Sequence, residues 1–122
     1  MTLKSKERIM KLQKAKYGNK LVKHEGETFH SKGELKRYQT LKLLEQAGQI
    51  SDLQKQVTFE LQPSFKLNGK TIRALKYVVD FTYTENGQKV AEDFKGFNAI
   101  HSKIKQKLFQ YKFKEYELRI VK

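Results

Sequence analysis

Cysteine is absent from this sequence of 122 residues, and proline occurs once. Without cysteine the chain has no disulfides and no thiolate zinc site. No apolar run is long enough to cross a bilayer, and the basic N-terminus lacks the following apolar segment of a signal peptide. The three histidines, His24, His30 and His101, do not have metal-ligand spacing. These absences predict a soluble intracellular protein, and the length predicts a single domain.

Acidic residues are also scarce. The chain has 13 of them against 26 lysines and arginines, which gives a net charge of +13 and a pI near 9.9. A charge of this size on a small domain is typical of a protein that binds a phosphate backbone. Solubility alone does not require such asymmetry, and no stretch combines a basic face with the broad apolar face of a membrane-surface helix. The composition therefore predicts a nucleic-acid partner and no membrane.

The most informative stretch runs from residue 77 to residue 96, where two predicted strands are joined by Asn86-Gly87. A two-residue type I′ turn needs positive φ at both central residues, and Asn-Gly is the strongest signal for it. This turn fixes the register of the hairpin. The predicted facing pairs are Glu85 with Gln88, Tyr83 with Val90, Phe81 with Glu92, and Asp80 with Asp93. Because side chains alternate along a strand, Asp80, Asp93 and Lys95 should project from one face.

Asp80 and Asp93 are an unusual facing pair, since like charges directly opposite each other destabilise a sheet. Two carboxylates at this spacing are expected if they share a divalent cation, for which oxygen ligands are suited. Glu92 is a rival to Asp93 as the second acid, but it lies on the face opposite Lys95. The alternative is a hairpin whose charged residues face solvent and bind no metal.

The order of Asp80, a turn and then Asp93-x-Lys95 resembles the motif of the PD-(D/E)xK nuclease superfamily, with Val79 where that motif has proline. The resemblance implies that Asp80, Asp93 and Lys95 are catalytic, and that the two aspartates bind Mg²⁺, for which Mn²⁺ substitutes. It implies that Lys95 orients the attacking water or stabilises charge on the phosphate. Enzymes of this superfamily often place a further acidic ligand on the helix before the sheet, which makes Glu34 a third candidate metal ligand.

A helix is predicted to begin at Ser31 and to end at Ala47-Gly48. Ser31 and Glu34 have the spacing of a capping box, and Gly48 is a typical residue after a helix. Apolar residues recur between them at helical spacing: Leu35, Tyr38, Leu41, Leu44 and Ala47. Glu34 therefore has two competing roles, as a helix cap and as a metal ligand.

An extended segment is predicted to follow this helix. Polar and apolar residues alternate along it, and three of them are expected to face a core: Val57, Phe59 and Leu61. Gln56 is a further candidate site residue on this strand. Pro63 is expected to end the strand, and Asn68-Gly69 to form a second hairpin turn.

The next strand is expected to place four side chains on one face: Tyr77, Val79, Phe81 and Tyr83. After Gly96, a helix is predicted with a stripe of core residues: Ile100, Ile104, Leu108 and Tyr111. A final strand is predicted from residue 116 to residue 121. The resulting order of elements is αβββαβ, which is the common core of the superfamily that the motif resembles.

The sequence thus predicts an α/β fold of the mixed-sheet (α+β) kind, with a restriction-endonuclease-like core in which a four-stranded mixed sheet is flanked by helices. Residues 29–122 form the predicted nuclease-like domain. Residues 1–28 are interpreted as a basic N-terminal arm that follows a DNA backbone, the alternative being a solvated tail without a partner.

More narrowly, the chain resembles small phage and prophage proteins of the Holliday junction resolvase type. This resemblance implies a metal-dependent endonuclease that hydrolyses branched DNA in phage recombination or replication, in the cytoplasm of the host. The implied DNA contacts are Lys103, Lys107, Lys32 and Arg37, for which a solvated basic surface is the alternative. Symmetric cutting of a junction would require a homodimer, which is a hypothesis. The competing hypothesis is a non-catalytic DNA-binding or regulatory module that keeps the nuclease fold.

Overall fold

The computed structural model describes residues 21–94 and 100–121. The described strands and helices, in chain order, are β1 (Val22–His24), β2 (Glu27–Phe29), α1 (Lys32–Gln46), β3 (Ser51–Gln62), β4 (Phe65–Leu67), β5 (Lys70–Ile72), β6 (Leu75–Glu85), β7 (Gln88–Phe94), α2 (Ile100–Lys112) and β8 (Tyr116–Val121). The chain divides into two compact units between Leu41 and Lys42, inside α1. Neither helix in the described part of the chain is long and apolar enough to cross a membrane.

The N-terminal unit contains a hairpin that the sequence did not reveal. Strands β1 and β2 pair antiparallel, with Val22 opposite Phe29, and positive φ angles at Glu25 (51°) and Gly26 (82°) make the turn between them. This hairpin occupies the last part of the segment interpreted as a basic arm. Residues 1–20 of that segment lie outside the described residues. A Glu-Gly pair is a weaker turn signal than Asn-Gly, because Glu tolerates positive φ less well than Asn does.

Helix α1 has the predicted caps at both ends. The Ser31 hydroxyl oxygen accepts a hydrogen bond from the Glu34 amide at 3.0 Å, and the Glu34 carboxylate accepts one from the His30 amide at 3.3 Å. At the other end Gly48 has a φ of 78°, with hydrogen bonds from its own amide to the Glu45 carbonyl and from the Gln49 amide to the Leu44 carbonyl. This pair of bonds is a Schellman motif, which requires a residue in the left-handed region at the position of Gly48.

Four strands form one mixed sheet in the C-terminal unit, in the order β3-β6-β7-β8. The first two neighbouring pairs are antiparallel, whereas β7 and β8 are parallel and are connected through α2. Together with α1, and leaving aside the β1–β2 and β4–β5 hairpins, the order along the chain is αβββαβ. The predicted fold class, an α/β protein with a four-stranded mixed sheet, is confirmed. The last turn of α1 is tied to the start of β3, because the Glu45 carboxylate accepts a hydrogen bond from the Leu53 amide at 3.0 Å.

The two predicted Asn-Gly turns are confirmed. Asn86 and Gly87 have φ angles of 51° and 78°, and Asn68 and Gly69 have 50° and 78°. Three of the four predicted facing pairs of the β6–β7 hairpin are observed, with Glu85 opposite Gln88, Tyr83 opposite Val90 and Phe81 opposite Glu92. The paired residues end at Phe81 and Glu92, so the predicted pair of Asp80 with Asp93 is not among them. The second turn joins β4 to β5, and β3 ends at Gln62, directly before Pro63.

Aromatic side chains build the core between the sheet and α2. Phe59, Tyr77, Val79, Ala91 and Phe109 form the buried cluster, and five half-buried residues pack against it: Val57, Leu61, Phe113, Tyr116 and Leu118. The ring of Phe59 lies 4.8 Å from that of Phe109, centroid to centroid, in an edge-to-face arrangement. Such aromatic pairs add attraction beyond the area that they bury.

The prediction for the buried face of α2 was wrong. Of the expected core stripe, Ile100 and Tyr111 are 77% and 74% exposed, and Ile104 and Leu108 are exposed as well. The buried positions are Gln106 and Phe109 instead. Both stripes recur at helical spacing, and the sheet takes the one that carries Phe109 because its ring fits among Phe59, Tyr77 and Tyr116.

The side chains of β6 do not keep one alternation along the strand, which corrects a second expectation. Tyr77 and Val79 pack with Ala91 on the α2 side, yet Ala91 is the strand partner of Thr82. Because directly paired residues share a face, Phe81 and Tyr83 point away from α2. The alternation therefore changes between Val79 and Phe81. Gln56 on β3 lies opposite this point and has a φ of 56°, a strained value for a non-glycine residue.

Candidate carboxylate site

The β6–β7 hairpin positions the two predicted acids. Asp80 lies on β6 at the change of alternation, and Asp93 lies on β7, one residue beyond the Phe81–Glu92 pair. Asp80 is 8% exposed and Asp93 only 1%. Carboxylates are rarely buried to this degree unless they are hydrogen-bonded, paired or bound to a metal.

Asp80 is held from both neighbouring strands. One carboxylate oxygen accepts a hydrogen bond from the Phe94 amide on β7 at 2.7 Å, which places the side chain beside the residue that follows Asp93. The other oxygen accepts a longer bond of 3.4 Å from the Gln56 side-chain amide on β3. Gln56 was a candidate from the sequence, and the structure places it against Asp80.

Asp93 is held from the α2 side of the sheet. Its Oδ2 accepts a hydrogen bond from the Tyr77 hydroxyl at 2.7 Å, and both groups are buried. Burial raises the pKa of Tyr77 well above its usual value, and the charge and hydrogen bond of Asp93 raise that pKa further. The charge of Asp80 acts on the same hydroxyl in the same direction, whereas a hydrogen bond with Gln106 lowers the pKa.

Tyr77 and Gln106 are site neighbours that were not predicted from the sequence. The sequence predicts Tyr77 only as a core residue. Gln106 carried a usable signal, since it lies three residues before Phe109 and therefore belongs to the same face of α2. A glutamine within an aromatic stripe indicates a buried polar partner.

Glu92, the rival acid, belongs to a different cluster. It is completely buried, and its Oε1 accepts a hydrogen bond from the Tyr83 hydroxyl at 2.8 Å. Arg119 on β8 reaches the same hydroxyl at 3.4 Å and Glu85 at 3.0 Å. A hydrogen bond to Glu117 is the main cause that raises the pKa of Arg119. Glu92 thus lies opposite Phe81 and accepts a hydrogen bond from Tyr83, on the face of β7 opposite that of Asp93, as the predicted register required.

The other predicted site residues within the described part of the chain lie on the two helices. Glu34 lies in the N-terminal unit, where it is buried, contributes to the cap of α1 and has the His30 imidazole at 3.6 Å. Lys32 is exposed and Arg37 is half-buried, both on α1. Lys103 and Lys107 are exposed on α2, one turn apart. Lys95 lies outside the described residues.

Asp80 and Asp93 each carry the type of oxygen ligand that suits a hard divalent cation. An ionised carboxylate has about four lone-pair sites, so an oxygen that accepts one hydrogen bond can still act as a ligand. Oxygen ligands of this kind are those that Mg²⁺ and Mn²⁺ prefer. The hydrogen bonds from Tyr77 and Phe94 fix the orientation of both carboxylates, which is what surrounding partners do in metal sites.

The fold and this site together define a mixed α/β protein with two buried aspartates on the two central strands of its sheet. The chain belongs to the family described as "Protein of unknown function (DUF1064)", whose pattern it matches over residues 14–122. Comparisons with the curated proteins and with the solved structures gave no match.

Proposed function

We propose that this protein is a metal-dependent endonuclease that hydrolyses phosphodiester bonds of branched DNA. The observation that supports the proposal best is the β6–β7 register. It brings Asp80 next to the strand segment that carries Asp93, in the order that resembles the PD-(D/E)xK motif. The net charge of +13 supports a polyanionic substrate.

Asp80 and Asp93 would hold Mg²⁺, with Mn²⁺ as a substitute. The chemistry that the ion supplies when bound is activation of water and neutralisation of charge on the phosphate. Tyr77, Phe94 and Gln56 keep the two carboxylates in a fixed orientation. Glu34 stays a predicted further ligand. The alternative is that Glu34 is buried only because it caps α1.

Lys95 would orient the water or stabilise the charge that develops on the phosphate, since a cation near the reaction centre lowers the energy of that state. Lys103 and Lys107 would contact the DNA backbone from α2, and Lys32 and Arg37 from α1. Backbone contacts of this kind position DNA without reading its sequence. Symmetric cutting of a junction would require two copies of the site, so we propose a homodimer on the junction.

Cleavage of labelled DNA tests the proposal. Four-way junction, splayed-arm and linear duplex substrates would be incubated with Mg²⁺, Mn²⁺ or EDTA and with three variants: Asp80→Ala, Asp93→Ala and Glu92→Gln. We expect metal-dependent cutting, with the junction preferred. The two aspartate variants should lose it, because each removes a ligand. Glu92→Gln is the matched control, since Glu92 is buried next to Asp93 in the chain but lies in the Tyr83 cluster.

Two outcomes would overturn the proposal. If Glu92→Gln abolishes cutting and Asp93→Ala does not, the assignment of the second acid is wrong. If no substrate is cut under any condition while DNA binding is tight and salt-sensitive, the protein is a binding module on the same fold.

A further inference from the structure

We propose that the β4–β5 hairpin is a DNA-contacting wing that inserts apolar side chains into an unstacked step of branched DNA. The inference deepens the proposed function, because it names the element that recognises the branched substrate. The wing consists of residues 63–74, which lie between the last residue of β3 and the first residue of β6.

The charge of the wing and its surroundings has one sign. From residue 61 to residue 79 the chain has no acidic residue and four cations, at Lys66, Lys70, Arg73 and Lys76. All residues from 62 to 73 are exposed to solvent. A partner with the opposite charge is therefore favoured, and a second copy of this chain, itself at +13, is not.

Large apolar side chains lie on the same hairpin. Phe65 is 42% exposed, Leu67 is 55% and Ile72 is 37%. A two-stranded hairpin is at best marginally stable in water, and exposed apolar patches commonly mark binding surfaces. The wing therefore shows apolar surface that a partner could cover.

The register separates the wing into two faces. Phe65 is opposite Ile72, and Leu67 is opposite Lys70, so these four side chains share one face. Lys66 is opposite Thr71 on the other face. One face is thus mostly apolar with a lysine beside the turn, and the other is polar with a lysine at its centre.

This combination fits distorted DNA better than an acidic protein surface. β-ribbon proteins place strands in a DNA groove, and proteins that bend DNA from the minor groove insert Phe, Leu or Ile between base steps. Four-way junctions offer such steps at the branch point, whereas intact duplex requires the protein to break stacking first. Lys66, Lys70 and Arg73 would contact the phosphates on either side of the inserted residue.

The test compares two sets of wing variants with matched controls in the full chain. The apolar set is the double variant Phe65→Ser with Leu67→Ser, and its control is Leu43→Ser, an exposed leucine on α1. The charge set is the triple variant Lys66→Gln, Lys70→Gln and Arg73→Gln, and its control is Lys114→Gln. Binding of junction and linear duplex would be measured in EDTA by fluorescence anisotropy, with 2-aminopurine at the branch point as a reporter of unstacking. Thermal unfolding would show that each variant folds.

For the apolar variant we expect about tenfold weaker junction binding, little change on linear duplex and loss of the 2-aminopurine signal, because one stacking contact is removed. For the charge variant we expect weaker binding to both DNAs. The slope of log affinity against log salt should fall by about 2.7, since three phosphate contacts are lost. The controls should bind both DNAs as the wild type does.

The proposal is overturned if both wing variants bind the junction as tightly as their controls. It is also overturned if the apolar variant changes only the oligomeric state in sedimentation, because the wing would then be a contact between copies. These outcomes differ from failure of the nuclease proposal. If the wild type binds junctions through the wing but cuts none, only the nuclease proposal is refuted. If folded wing variants cut DNA as the wild type does, only the wing proposal is refuted.

Discussion

Replacement of Tyr77 by phenylalanine removes the hydroxyl that donates to Asp93 and that also has a hydrogen bond with Gln106. The substitution removes one hydroxyl and leaves the ring, so the contact with Phe109, 5.6 Å between ring centroids, is kept and no large cavity forms. The lost bond is 2.7 Å long and ends on a carboxylate that is 1% exposed. Buried hydrogen bonds to charged groups contribute about 1.5–3 kcal/mol, so we expect Tyr77→Phe to lower the free energy of unfolding by about 2 kcal/mol.

Urea unfolding at pH 7.5 in EDTA measures this loss. With a typical slope of about 1–3 kcal/mol per molar urea, the midpoint should fall by about 1 M. Tyr111→Phe is the matched control, because that tyrosine is 74% exposed and should change stability by less than about 0.5 kcal/mol. A loss for Tyr77→Phe no larger than for Tyr111→Phe would refute the conclusion that the bond stabilises the buried carboxylate.

The same variant predicts a pH dependence. Burial raises the pKa of Tyr77, so the folded protein retains this proton at pH values where an unfolded tyrosine, with a pKa of about 10, loses it. The contribution of Tyr77 to stability is therefore fully present below about pH 10 and is lost as the pH rises above that value. The stability difference between wild type and Tyr77→Phe should shrink from pH 10 to pH 11.5. A difference that stays constant over this range would contradict the raised pKa.

Unfolding measurements also test the orientation of α2, the cap of α1 and the ligand role of Asp80. Phe109→Ala should lower the free energy of unfolding in urea by about 3–5 kcal/mol. Ile104→Gln, on the exposed stripe of α2, should change it by less than about 0.5 kcal/mol. Equal losses for the two variants would contradict the observed orientation of α2. Gly48→Ala should cost about 1–2 kcal/mol, because alanine is strained at a φ of 78° although its Cβ would meet no atom within 4 Å; an unchanged urea midpoint would contradict that strain. In thermal unfolding, Mg²⁺ at 100 times its dissociation constant should stabilise the wild type by about 2.7 kcal/mol. The same concentration should not stabilise Asp80→Asn. Equal stabilisation of both proteins would argue against a ligand role for Asp80.

Local signals in the sequence predicted the parts of the fold that local geometry controls. Asn86-Gly87 requires positive φ at two successive residues, and this requirement sets the pairs of the β6–β7 hairpin from Glu85–Gln88 back to Phe81–Glu92. The cap of α1 is likewise a contact between residues three apart, Ser31 and Glu34. The facing of Glu92 toward Phe81 follows from the same register. These features depend on few residues, so a sequence pattern can specify them.

Features that depend on packing between distant elements were not predictable in the same way. Helix α2 has two apolar stripes, and only the shape of the sheet surface around Phe59 and Tyr77 decides in favour of Phe109. The change of alternation at Asp80 is accompanied by a positive φ at Gln56 on another strand. The hydrogen bond between Tyr77 and Asp93 depends on that change, because regular alternation would leave Tyr77 on the side of Glu92. The residue pattern of β6 alone does not predict this change of alternation.

The parallel pairing of β7 with β8 has a consequence for the order of folding. The β6–β7 hairpin closes over a two-residue turn, whereas β8 can pair with β7 only after the chain has passed through α2. Contacts of short sequence separation form at a smaller loss of chain entropy, so we expect the hairpin to form before β8 docks. In that interval β7 has an unpaired edge, and an unpaired edge can recruit strands from other molecules. The yield of refolding should therefore decrease with rising protein concentration. This decrease should be steeper in a variant that slows the docking of β8 than in a variant that slows the formation of the Asn86-Gly87 turn.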